Sequence, residues 1–88
     1  MSDGKIFYGG ITLASYIDRI RSLREDNDYS QTEIGKLLRV GQKTYSDYEL
    51  GKTRIPLDSI MILAKHYNVD MNYICGVSNI KTPYPKKK

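Results

Sequence analysis

The stretch S-Q-T-E-I-G-K-L-L-R-V-G-Q-K-T-Y-S-D-Y-E-L-G-K-T-R, residues 30–54, decides the fold. It reads as two short helices joined by a tight turn. Ser30 is a good N-cap, and Glu33 three residues on completes a reciprocal capping box. Ile34, Leu37 and Leu38 then recur at helical spacing and give the first helix one apolar face. Arg39, Val40 and Gly41 break that pattern, and Gly41 alone of the three turns without steric cost. A second helix is predicted over Gln42–Leu50, with Tyr45 and Tyr48 facing inward. Gly51 stands where a helix ends in a left-handed cap. Helices this short are unstable alone, so they must pack on each other and on the flanking chain. Two short helices crossing through a three- to four-residue turn form a helix-turn-helix, whose second helix can enter a major groove.

These residues carry a resemblance. I-R-S-L-R precedes the stretch, S-Q-x-x-I-G-x-x-L opens it, and T-Y-S-D-Y-E-x-G-K-x-R-x-P closes it and runs on to Pro56. In that order and spacing they resemble the phage-repressor-like helix-turn-helix family, the lambda/434 repressor and Cro group of bacterial regulators often called XRE-like. The resemblance covers residues 16–77. One residue departs from it: Arg39 lies where the family has Gly in a left-handed turn, a conformation tolerated but unfavourable for a side chain.

Eighty-eight residues suit one small domain, without room for a separate ligand-binding or catalytic module. No signal peptide is read, and no apolar run approaches the length of a bilayer span. Cys75 is alone, so no disulfide forms within the chain and a reducing cytoplasm is the expected home. The formal charge is +4, but four of the fourteen positive residues are Lys81, Lys86, Lys87 and Lys88. Residues 1–80 therefore carry ten charges of each sign. Residues 36–54 hold five positives (Lys36, Arg39, Lys43, Lys52, Arg54) against Asp47 and Glu49, whereas residues 18–33 are net acidic. A neutral body with a basic motif face and a basic tail suits an anionic partner approached from one side.

The first ten residues place Gly4, Gly9 and Gly10 around Ile6-Phe7-Tyr8, which reads as an N-terminal arm over 1–11 folded back on the core. Thr12 can cap a helix with apolar positions Leu13, Tyr16, Ile17, Ile20 and Leu23, ended near Asn27. Pro56 suits the first turn of a fourth helix lined by Leu57, Ile60, Met61, Leu63, Ala64 and Tyr67. Asn68 is a left-handed stop, and Asp70 caps a short fifth helix over 71–75, closed by Gly76. Residues 79–88, with Pro83 and Pro85, read as a disordered basic tail. The expected architecture is all-α: a compact five-helix bundle over 12–78, without strands.

The resemblance implies roles for individual residues. Gln42 and Lys43 open the second motif helix at base-reading positions. Gln can pair with adenine through two hydrogen bonds, and Lys can donate to guanine O6 and N7; as residues alone, they are two solvated polar groups. Ser46 and Asp47 follow on the same face. Asp47 is open between accepting from cytosine N4, rejecting wrong sequences by repulsion, and an i, i+4 pair with Lys43. Gln31 heads the first motif helix at a phosphate position, where a helix N-terminus also favours an anion. Lys52, Thr53 and Arg54 resemble the family's phosphate clamp, and Thr44 and Tyr48 join that set. Such contacts position a protein and add salt-dependent affinity but carry little sequence information. Tyr45 and Tyr48 also read as core. Arg24 and Glu49 match a pair that ties the first helix to the reading helix in relatives. The family often builds its dimer from the fifth helix, here around Tyr73 and Ile74.

His66 and Cys75 are single residues without carboxylates at ligand spacing, so no metal site is read. No Gly-rich phosphate loop and no acid–base–nucleophile set appears, so neither a cofactor nor an enzyme is expected. The implied function is a sequence-specific regulator of double-stranded DNA, a repressor acting as a homodimer and nucleoid-associated in a bacterial or phage-derived setting. The alternative is an antitoxin-like module that binds a partner protein and DNA secondarily.

Overall fold

The computed structural model describes residues 5–8 and 11–85, with side chains from Ser15 to Pro85. Residues 1–4 of the N-terminal arm and Lys86, Lys87 and Lys88 of the basic tail lie outside the described residues. Five helices form the body: α1 (Tyr16–Asp26), α2 (Gln31–Leu37), α3 (Gln42–Leu50), α4 (Leu57–Tyr67) and α5 (Met71–Ile74). The core between them is built from Ile20, Leu23, Ile34, Leu38, Tyr45, Tyr48, Ile55, Ile60, Leu63, Ala64, Val69 and Ile74. All twelve are buried. None of the described helices is long and apolar enough to cross a membrane.

Two strands precede the bundle and correct the strand-free expectation. β1 (Lys5–Tyr8) pairs antiparallel with β2 (Ile11–Ala14), in the register Lys5 to Ala14 and Tyr8 to Ile11. Thr12 is therefore a strand residue, and the N-cap of α1 is Ser15, whose hydroxyl accepts from the Asp18 N–H at 3.2 Å. The reason is legible in retrospect. K-I-F-Y and I-T-L-A are rich in aromatic and β-branched residues, and the two residues between them in sequence are both Gly, a hairpin composition.

The caps of the bundle follow the residues. Ser30 and Glu33 form the reciprocal box, at 3.0 and 2.8 Å. Asp70 caps α5 by accepting from Tyr73 N–H at 2.9 Å. Gly51 and Asn68 end α3 and α4 in the left-handed region, at φ 74 and 56. Helix α4 departs from its expected lining: Leu57 and Met61 are exposed. The helix is apolar nearly all round, and Ile60, Leu63 and Ala64, at spacing 3 and 1, take the core side. Met61 then points away.

The C-terminal segment also differs from a free tail as far as Pro85. Asp70 N–H donates to Thr82 C=O at 2.7 Å, and Tyr84 N–H donates to Asn68 Oδ1 at 3.2 Å. Asn79 accepts from the Arg19 guanidinium. Tyr84 packs against the core, so backbone bonds and one aromatic ring hold a segment that composition alone reads as unstructured.

Candidate nucleic-acid interface

The turn between α2 and α3 is made by Arg39, not by Gly41. Arg39 adopts φ 60, the left-handed region, while Gly41 has φ −72 and serves as the N-cap of α3. Space around Gly41 is open, with nothing within 4 Å of a built Cβ. The glycine that the turn requires is Gly35. A Cβ there would meet Val40 C=O at 2.9 Å, because Val40 N–H closes the turn onto Gly35 C=O at 2.8 Å. That close approach brings α3 down onto α2.

Four polar side chains then join α1, α2 and α3. Arg24 Nε and Nη2 donate to the two oxygens of Glu49, at 2.7 and 3.0 Å, in the two-pronged geometry a guanidinium favours. Arg24 Nη1 donates to Tyr29 C=O at 3.0 Å. Gln31 Nε2 donates to Glu49 Oε1 at 3.1 Å, and Gln42 Nε2 donates to Gln31 Oε1 at 2.7 Å. Glu49 is 4% exposed. Burial alone would push its carboxyl up, but the hydrogen bonds from Arg24 and Gln31 hold it below its ordinary value of 4.5. The hydrogen bond with Glu49 raises Arg24 in turn.

The outer face of α3 presents Gln42 and Lys43 exposed, with Thr44, Ser46 and Asp47 half-buried beside them. Lys43 Nζ donates to both oxygens of Asp47, at 3.1 and 3.0 Å, so the i, i+4 pair is formed in the free protein. After α3, Lys52 N–H and Thr53 N–H both donate to Asp47 C=O, at 2.9 and 3.3 Å. This wraps the loop back on the helix and leaves Lys52, Thr53 and Arg54 exposed. Gln31 sits at the head of α2, as expected for an anion position, but its amide is turned to Glu49 and Gln42 rather than held free.

Two assigned residues lie elsewhere. Tyr48 is 6% exposed, its ring edge-on to Tyr45 at 6.2 Å, so it is a core residue with only an edge at the surface. Ile74 is fully buried within this chain and offers no surface to a second copy. Its neighbour Tyr73 is half-buried beneath the Arg19 guanidinium, 4.0 Å from the ring centroid. The contacts of Gln31 with Glu49 and Gln42 were not anticipated. They join residues eighteen and eleven apart, and only the close α2–α3 crossing makes them neighbours.

Among the described residues, no group of three or more His, Cys, Asp or Glu is placed to hold a metal ion. His66 lies against the rings of Tyr29 and Tyr67, at 5.1 and 5.2 Å. Cys75 is half-buried, and burial pushes its thiol up, away from the thiolate a nucleophile needs.

Comparison with known proteins places the same residues in a wider set. A helix-turn-helix family model, HTH_3, matches residues 20–74. The chain is similar to an uncharacterized HTH-type transcriptional regulator, YobD, of Bacillus subtilis, with 29% identity over 73 residues. It is also similar to the cryptic phage CTXphi transcriptional repressor RstR of Vibrio cholerae, with 37% identity over 54 residues. The first match covers 83% of this chain and 65% of the relative, the second 61% and 49%. The chain thus spans half to two thirds of the length of these relatives. No solved structure matches it.

Proposed function

Because this chain belongs to the HTH_3 helix-turn-helix family, whose model spans residues 20–74, we propose that it is a sequence-specific transcriptional regulator of double-stranded DNA. It acts as a repressor and reads the major groove with α3 as a homodimer on a two-fold operator. The observation that carries this reading is the exposed face of α3, with Gln42 and Lys43 at its tip, on a scaffold locked from behind by Arg24 and Glu49.

Each part has a chemical task. Gln42 keeps a carbonyl oxygen to accept from adenine N6–H and one N–H to donate to adenine N7. Lys43 exchanges Asp47 for guanine O6 and N7, and the carboxylate so released takes a cytosine N4–H. Ser46 serves the same base edges. Exposed Lys52, Thr53 and Arg54, with Thr44 and the head of α2 at Gln31, hold phosphates on either side. A single reading helix covers too few base pairs to address a genome, so two copies present their helices about 34 Å apart. Such a protein works in the cytoplasm, on the nucleoid.

Selection of bound fragments from random DNA, followed by salt-dependent binding, tests this. A short palindromic site should emerge. Gln42→Ala/Lys43→Ala should lose roughly 1–3 kcal/mol per contact at particular bases while non-specific binding survives. Uniform binding to all sequences would end the specific-regulator reading.

A further inference from the structure

Helix α4 has a covered side and an uncovered one. Ile60, Leu63 and Ala64 are buried, whereas Leu57, Met61 and Ile62 are 63%, 43% and 43% exposed. Asp58 and Lys65 flank the Met61–Ile62 pair, and both are exposed. Among the described residues neither forms an ion pair. Asp58, Met61, Ile62 and Lys65 line a shallow depression of 330 Å³ with Tyr84 at its rim.

This face is its own complement when reversed. Outward from the midpoint between Met61 and Ile62, an apolar residue comes first on either side. Asp58 and Lys65 follow at equal distances in opposite directions, and Leu57 balances His66. A two-fold contact requires that residue i meets j while j meets i. An axis through that midpoint lays a second α4 antiparallel on the first, with Met61 against the partner's Ile62. Asp58 then faces the partner's Lys65, and Lys65 the partner's Asp58. At 1.5 Å rise per residue the two ion pairs stand about 10 Å apart, closing both ends of an apolar centre. A parallel arrangement sets Asp58 against Asp58 and Lys65 against Lys65, so charge selects the antiparallel one.

We propose that the exposed α4 face is the self-association surface of this protein and that its occupant is a second copy of the same chain. The inference rests on the homodimer reading above but names a surface different from the fifth helix. One helix face per copy is a small contact, at the low end of interface sizes, so the free protein associates weakly and strengthens on DNA.

The test is a charge swap read by sedimentation equilibrium of the full chain across the micromolar range. Wild type should show a reversible monomer–dimer equilibrium. Asp58→Lys and Lys65→Asp should each weaken the dimer at least about tenfold, because each sets two like-charge pairs face to face. Asp58→Lys/Lys65→Asp should recover it. Asp58 and Lys65 stand in the first and last turns of α4, where the swap also opposes the helix dipole. Thermal melts therefore accompany each variant, and Ile62→Glu, at an exposed apolar position, provides a second break without that effect.

Several outcomes overturn the proposal: a wild type that stays monomeric throughout, single variants that dimerise normally, or a folded double variant that does not recover. Capture of a different polypeptide on this face, with no self-association, does the same. Operator selection run in parallel separates the two readings. A two-fold operator bound equally by all α4 variants keeps the regulator and sinks this surface. A successful swap without sequence preference keeps the surface and sinks the regulator.

Discussion

Helix α1 is held at its two ends by opposite chemistry. Near its C-terminus, Arg24 reaches Glu49 of α3 through paired charged hydrogen bonds, extended by Gln31 and Gln42. Near its N-terminus, Ile20 packs in the core with Ile74 of α5, and Arg19 lies over the Tyr73 ring. Apolar burial is strong but tolerant of direction, since it scales with area. A two-pronged guanidinium–carboxylate pair is directional and adds less net stability after desolvation. The molecule therefore uses its apolar end to stay folded and its polar end to aim α3.

Ile74→Ala should break the apolar end hardest. The cost is about 2–5 kcal/mol, the range for truncating a fully buried aliphatic side chain. Denaturant unfolding measures it, and DNA preference per folded molecule should not change.

Arg24→Met attacks the other end. It strands the Glu49 carboxylate and should cost about 2 kcal/mol, less than a wholly buried pair because Arg24 keeps some solvent. Unlike Ile74→Ala, it should also blur base preference. The pH dependence has a definite sign. Glu49 is held below 4.5 in the folded protein, so its contribution is present above that pH and is lost as pH falls through the folded value. Glu49→Gln should flatten this acid limb of the stability curve. An unchanged limb would mean that other carboxylates carry it.

The smallest effect lies in the turn between the two regions. Arg39 holds φ 60 with a side chain, and Arg39→Gly should stabilise by roughly 0.5–1 kcal/mol after the extra freedom of the unfolded chain is counted. A loss instead would show that the arginine makes a contact outweighing its strain.

Local chemistry made much of this legible. The Ser30 box, the extent of α3, the left-handed ends at Gly51 and Asn68 and the Asp70 cap all depend on residues within a turn of each other. Arg24–Glu49 came from the family resemblance rather than from spacing. What escaped was decided at longer range or by competition. By residue type alone Gly41 looked the easiest to bend; the resemblance put the left-handed turn at Arg39, where it is, but not the glycine it needs at 35. Ile74 was placed at the dimer only through the family's use of its fifth helix, yet it fills the core from the far end. Leu57 and Met61 fit an apolar periodicity on a helix with more apolar residues than its core side can take. The Gly9-Gly10 pair was weighed only against a helix, so the hairpin went unread.

One consequence follows from the sidedness of a single buried group. An ionised carboxylate only accepts, so Glu49 dictates which end of the Gln31 amide faces inward: the nitrogen. That leaves the Gln31 oxygen pointing outward, and Gln42 must spend an N–H on it. Gln42 is then left with one donor and one acceptor in a set orientation. Hydrogen-bond polarity is thus passed hand to hand from a buried acid to the tip of α3, so that a glutamate inside the protein sets which donor and which acceptor the exposed glutamine presents.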